Sequence, residues 1–347
     1  MLPAIHPTLP ALAERASRLS RMAQRHPDCT LRRLQALEQA ARERDQGAAA
    51  LDALYLRFYL LEHRGRALEL REALQQGARL AQEQGWLPQS ARMAEALGRI
   101  DYQLGHYLQA SEQWSQALDG AERAGDARVG VAARIGLGQI QFARGAWHSG
   151  LRALREAAPL LKPLQDDYLS AKLALNLGVG HLESGQLEDA ERQFSHGLAA
   201  ARRGGHREFE GEAHWHLAQA ALARGDLQWA TADCRLALDI AGRLQHHWLE
   251  GAASRTWTAI ALARGDENAA VGATRHALAL AERIQSKPQQ GLAHRQLAQL
   301  LERRGDLAGA LQHLWRYVDL QAELEHQAPG SAWQAAGETS PLSPSRR

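Results

Sequence analysis

Apolar positions along this chain carry two superposed rhythms. Over short stretches they recur every three to four residues, the spacing that places side chains on one face of a helix. Over longer distances the whole pattern repeats every forty residues. Gly65, Gly105, Gly145, Gly185, Gly225, Gly265 and Gly305 keep that period without a slip, in segments such as FARGAW, LESGQL and LARGDL. Five residues after the glycine stand Ala110, Gly150, Ala190, Ala230, Ala270 and Ala310, small enough to let two helices approach closely. Eight before it stand Leu97, Leu137, Leu177, Leu217 and Leu297, each followed by Gly or Ala, a large knob beside a small hole. Leu118, Leu198, Leu238, Leu278 and Val318 follow the small residue by two helical turns and share its stripe.

Each unit is therefore expected to be a first helix of about fourteen residues, a glycine turn with a left-handed cap, and a longer second helix. Polar links such as RAGDAR, LQDDY, RGGHRE and QSKPQ separate the units. One helical hairpin cannot bury its apolar face alone, so the units must stack. The prediction is an all-α, right-handed superhelical α-solenoid of antiparallel helix pairs. Its seven units are residues 51–90, 91–130, 131–170, 171–210, 211–250, 251–290 and 291–327. Residues 1–50 fit the same clock with Arg25 in place of the glycine and Arg18 in place of the small residue, a degenerate capping unit in which Pro27 starts the second helix. Residues 328–347, rich in Ala, Ser, Pro and Gly, are expected to be disordered.

The stretch NLGVGHLESGQLEDAERQFSHGL, Asn176 to Leu198, with Leu-Gly in the first helix, Gly at the turn, and Ala then an aromatic in the second, resembles the tetratricopeptide repeat. Trp114 and Phe194 fill the aromatic place of that motif, whereas Leu154, Cys234, Thr274 and Leu314 depart from it. The resemblance covers residues 51 to 327 in a long forty-residue variant. It is similar to the arrays of bacterial signalling proteins such as repeat-containing diguanylate cyclases, and of motor-protein light chains. It implies a non-enzymatic scaffold that holds a protein or peptide segment in its concave groove, in bacterial regulation. A second reading is the sensory module of a cyclic-di-GMP or transcriptional system, acting in trans or truncated, because no cyclase sequence or helix-turn-helix follows Gln327.

Composition narrows these readings. Forty-one Lys and Arg against thirty-nine Asp and Glu leave a formal charge of +2, which gives no field for nucleic acid or an anionic membrane. Two distant cysteines, Cys29 and Cys234, offer neither a disulfide framework nor a thiolate zinc site, and the broken apolar character of the first twenty residues is unlike a signal peptide. A cytoplasmic protein with no membrane span is expected. Its oligomeric state is left open.

Candidate chemistry is sparse, and no cofactor is implied. The close glycines of GLGQIQFARG lie inside a periodic helix and not after a strand, so they are packing residues and not a phosphate loop. His206, His214, His216, His246 and His247 crowd two units and raise an enzyme or metal reading. His214 and His216, two apart on a helix, diverge by about 200° and cannot chelate one ion. Asp166 and Asp167 are expected to cap a helix, and most of the nine tryptophans to be core.

Specificity is then assigned to the concave wall, built from first helices. Residues ten, six and three before each turn glycine share a face there. The candidate partner-binding residues are Tyr55, Tyr59, Arg99 and Tyr102 in the first units; Ile135, Gln139, Leu175, Val179, Trp215 and Gln219 in the middle; and Arg255, Arg295 and Gln299 at the end. Phe142, Leu182 and Leu222 extend the same apolar floor or pack between units. Trp215 is expected to be exposed, and with Arg255 to fix the partner.

Overall fold

The computed structural model describes residues 27–62 and 65–326. The capping residues assigned to positions 1–26 and the tail at 328–347 lie outside the described residues. Helix α1, Pro27–Glu43, precedes seven helix pairs: α2 (Gly47–Glu62) with α3 (Arg71–Glu83), α4 (Leu87–Leu104) with α5 (Tyr107–Ala124), α6 (Ala127–Ala143) with α7 (Trp147–Leu161), and α8 (Asp167–Glu183) with α9 (Leu187–Gly204). The array continues as α10 (Arg207–Ala223) with α11 (Leu227–Leu244), α12 (His247–Ala263) with α13 (Glu267–Arg283), and α14 (Lys287–Arg303) with α15 (Leu307–His326). Each helix packs on the next, and each first helix also touches the first helix of the following unit. This is an all-α repeat solenoid.

The turn glycines all take positive φ, between 65° and 88°. At Gly105 the left-handed residue lets His106 N donate to Asp101 O at 2.8 Å, closing the end of α4. A second left-handed series lies half a unit away, at Asp45, Gly85, Gly125, Gln165, Gly205, Gln245 and Gln285, and it turns the chain from one unit to the next. Helices start immediately after these links. Asp126 and Asp166 after these links, and Asp226 and Asp266 after turn glycines, each accept a hydrogen bond from the amide three residues on, as expected of Asp166. The first helices consequently run sixteen to eighteen residues, longer than the fourteen expected, because residues read as links form their first turn.

Packing explains the departures from the aromatic place. Trp114, Leu154 and Phe194 on the second helices are fully buried against Gly98, Gly138 and Gly178 of their own units. Where the hole is Ala218 the knob shrinks to Cys234, and where it is Thr258 the knob is Thr274, whose hydroxyl lies 2.8 Å from that of Thr258. The larger knobs meet glycine, and the smaller ones meet a residue with a side chain of its own. In the last pair the equivalent Leu314 is 45 % exposed, with Leu307, Leu311, Trp315 and Val318 on the same open stripe.

The array winds tightly enough to meet itself. Ser286 Oγ donates to Gln103 O at 2.9 Å across 183 residues, about four and a half units. Gly105 lies beneath Leu324 and Pro288, and Gly65 stands against the backbone of His246 and His247. Among the described residues no helix is long and apolar enough to cross a membrane.

Candidate functional site

Where successive turns of the superhelix touch, the inner wall forms a half-open cavity of about 120 Å³. It is built from the inner faces of α2, α4, α6, α8, α10 and α12. Of the expected contact residues, Arg99, Tyr102, Gln139 and Leu175 line it. The remainder of the wall comes from one or two turns nearer the helix N-termini. Tyr168, Lys172 and Asn176 of α8 face Glu208, Phe209 and Glu212 of α10, with Trp248 of α12 alongside. Lys172 and Glu212 lie thirteen positions before their turn glycines, and Tyr168, Glu208 and Trp248 seventeen, on the stripe already recognised but N-terminal to the positions assigned to the binding face.

Arg99 is the anchor of the cavity floor. It is buried and ion-paired with Glu62, with its Nη1 3.5 Å from Glu95 Oε1, and it donates a hydrogen bond to the Tyr168 hydroxyl. Its guanidinium stands 5.0 Å from the centre of the Tyr59 ring and 5.6 Å from those of Phe58 and Tyr168. Tyr55 donates to Glu95 at 3.0 Å, and burial followed by the Glu95 charge pushes both the Tyr55 and Tyr59 hydroxyls above the ordinary tyrosine range. Arg128, over Tyr59 at 4.9 Å, is satisfied by Asp166 at 2.7 Å. Tyr55 and Tyr59 are thus structural members of a buried network behind the cavity.

The second part of the wall is less balanced. Lys172 is buried, and burial, then the nearby Arg99, lowers its ammonium to about 8. Burial raises Glu208 to about 8 and Glu212 to about 7. Lys172 and Glu212 sit at equivalent places forty residues apart. Among the described residues neither side-chain charge has a hydrogen bond or an ion pair. The equivalent Asp52 and Arg92, in contrast, are joined at 2.7 Å.

The other expected residues are not gathered here. Ile135 is wholly buried between units, as are Phe142 and Leu182, and Val179 and Gln219 are half-buried outside the cavity. Trp215 corrects the expectation of an exposed contact. It is 8 % exposed, its indole Nε1 donates to Thr256 Oγ1 at 2.9 Å, and its ring meets Trp248 edge-on at 5.6 Å. The wide apolar floor is therefore interior packing, because an indole ten residues before the turn points into the next unit. Arg255 donates to Gln289 at 3.1 Å, and Arg295 and Gln299 are exposed at the far end.

The clustered histidines have separate tasks. His214 Nδ1 lies 2.7 Å from Asp233, whereas His216 stacks on Phe194 at 4.9 Å and bonds Gln219. His246 accepts from Leu249 N and caps α12. No group of three metal-ligating side chains occurs among the described residues.

No protein-family model matches the chain, and no curated protein does. Solved structures do. A Rap protein complexed with competence and sporulation factor superposes with a TM-score of 0.65 at 16 % identity, over 89 % of this chain and 87 % of that one. The Rap conjugation gene regulator of plasmid pLS20, in complex with the Phr* peptide, gives 0.59 at 16 % identity over 81 % and 77 %. The Cut9–Hcn1 hetero-tetramer gives 0.61 at 16 % identity over 94 % and 57 %. The likeness to diguanylate cyclase arrays finds no support in these three. At such identities the likeness is one of fold, and the fold is a tetratricopeptide-type helical-repeat solenoid.

Proposed function

We propose that this chain is a non-catalytic regulatory scaffold of the cytoplasm that captures a protein or peptide segment, with the axial cavity as the seat of the captured group. The carrying observation is the pair Lys172 and Glu212, a buried ammonium and a half-buried carboxylate on the cavity wall that feel each other's charge but share no ion pair or hydrogen bond. Leaving such groups unmatched costs several kcal/mol in a folded core, a cost that a ligand can offset. The wall also offers the mixture that suits peptide recognition, with aromatic faces at Tyr102, Phe209 and Trp248 and amides at Gln139 and Asn176. The fold neighbours lend support, since one is complexed with competence and sporulation factor and another with the Phr* peptide. The description of the second as a conjugation gene regulator favours a regulatory setting over a purely structural one.

The test is a peptide-binding assay read through tryptophan fluorescence, since Trp114 and Trp248 line the cavity. Asn176→Phe should fill the cavity and abolish binding, whereas Trp315→Ala, on the open end of the array, should leave it intact. Binding that survives Asn176→Phe would place the captured segment elsewhere. A signalling role acting in trans requires in addition that the captured peptide change the affinity for a second protein.

A further inference from the structure

The outer face of α15 is more apolar than its place in the array requires. In the preceding pair the equivalents of Leu311, Leu314 and Val318 are Val271, Thr274 and Leu278, buried or half-buried where α14 packs on α13. Val271 there shares a cluster with Leu300 of α14. No helix among the described residues takes that place over α15, and Leu307, Leu311, Leu314, Trp315 and Val318 stand between 45 % and 67 % exposed. Trp315 makes this more than an uncovered end. One residue after the knob, the earlier second helices carry Gln75, Ser115, Arg155, Ser195, Arg235 and Arg275, all polar and exposed. The last carries a tryptophan, 61 % exposed. A terminal unit that faces only water needs a polar outer surface. Here the place that faces solvent in every other unit has become the most apolar.

The stripe is also symmetric about its own middle. Leu307, Leu311, Leu314, Trp315, Val318 and Ala322 fall within an arc of about 100° on α15, and their positions mirror about a point between Leu314 and Trp315. When a second copy of the helix is laid antiparallel about that point, its Val318 comes opposite Leu311 and its Ala322 opposite Leu307. Leu314 and Trp315 then each meet their own counterparts, one on either side of the axis. At the rim Asp319 falls between Ala308 and Gln312 of the second copy, so no like charges are brought face to face. A head-to-tail contact places no such demand on the pattern, whereas a twofold contact requires a surface complementary to itself.

We propose that the chain pairs with a second copy of itself through α15, antiparallel about a twofold axis that passes between Leu314 and Trp315. The five exposed side chains open about 600 Å² per copy, so a pair buries about 1,200 Å², the lower bound of specific interfaces. No residue of α15 lines the cavity, so this pairing and the capture of a segment there stand or fall separately.

Sedimentation equilibrium of the full chain should show passage from one copy to two over roughly 1–200 µM, the range an interface of this size supports. Trp315→Arg places there the residue type of Arg155, Arg235 and Arg275. It should weaken pairing at least about thirtyfold, the loss of a central aromatic anchor, with helicity by circular dichroism unchanged. Leu311→Glu should do the same from a different side chain, and it alone decides if Trp315→Arg loses helicity. In a Cys29→Ser background, Leu314→Cys should give a disulfide-linked dimer on mild oxidation, whereas Leu80→Cys, at a comparably exposed leucine of α3, should not. A single copy at every concentration, growth past two copies, or pairing that survives both Trp315→Arg and Leu311→Glu would overturn the proposal. So would a dimer that Leu314→Cys fails to cross-link.

Discussion

The packing of Trp114 makes two glycine-to-alanine changes differ in sign. Gly136 in α6 and Gly272 in α13 are both helical, and in a helix interior alanine is favoured over glycine by about 1 kcal/mol. At exposed Gly272 a β-carbon meets nothing within 4 Å, so Gly272→Ala should stabilise by about that amount. At Gly136 the same carbon would stand 2.6 Å from Trp114 Cε3, and nearer still to the ring fusion, about 0.8 Å inside ordinary contact at 3.4 Å. The indole cannot retreat. It is 1 % exposed, its Nε1 donates to Glu95 O at 3.3 Å, and its other edge already abuts Gly98. Overpacking of this kind costs about 1–3 kcal/mol. With the helix gain subtracted, Gly136→Ala should lose up to about 2 kcal/mol and gain nothing. Urea unfolding followed by far-ultraviolet circular dichroism reads both variants on one scale, and Trp114→Leu combined with Gly136→Ala should recover most of the clash term. Equal stabilisation by the two single changes would mean that the indole is not seated against α6.

Three further outcomes are expected. Burial lowers His216 and His246 to about 4, so their contribution to stability is complete above the unfolded value near 6.5 and fades as pH falls toward 4; His246→Asn, which keeps a cap for α12, should flatten this acid limb in melting curves, and an unchanged limb would contradict it. Glu212 is raised to about 7, so its burden on the fold is absent below about 4.5 and grows as pH rises through 7; Glu212→Gln should therefore raise the melting temperature at pH 8 and leave it nearly unchanged at pH 4.5. Leu324→Ala removes a side chain that packs on Gly105 across the superhelix, so the radius of gyration by small-angle scattering should increase; a destabilised protein of unchanged size would show that Leu324 serves only its own unit.

The sequence carried the unit, the stacking and the main turn because each rests on a side-chain requirement that recurs. A left-handed turn favours glycine, and at one of the two turns per unit glycine occupies all seven places. The other turn was read only as a polar link, because Asp45, Gln165, Gln245 and Gln285 adopt the same left-handed backbone without glycine. Reading it as a link shortened the expected first helices and left Tyr168 and Glu208 outside them, whereas Lys172 and Glu212 lay inside, one turn before the positions assigned to the binding face. The period-three-to-four stripe already pointed to them. What no local pattern could reveal is closure, since the pitch of a solenoid accumulates from small rotations between units. Trp215 illustrates the remaining gap, because a residue on the inner helix can face either the axis or the next unit, and only the packing around Thr256 and Trp248 decides.

Closure and buried charge are two sides of one arrangement. In an open solenoid Glu208, Glu212 and Lys172 would remain hydrated on a groove wall, and their charges would carry little cost. Winding by about four and a half units per turn brings the link at His246 against Gly65, and α14 and α15 against the end of α4, and narrows the access of water to that wall. The desolvated carboxylates then favour any state that neutralises them, whether a bound proton, a bound cation or a reopened superhelix. These three states exclude one another in part, so pitch, proton occupancy and ligand occupancy are thermodynamically linked. Any ligand that binds the wound form better stabilises it by that differential affinity, whereas high pH, which ionises the carboxylates that burial raises, favours loosening. The contacts at Ser286 and Leu324 are thereby more than the accidental meeting of two ends. They hold together two turns of the superhelix between which the cavity lies.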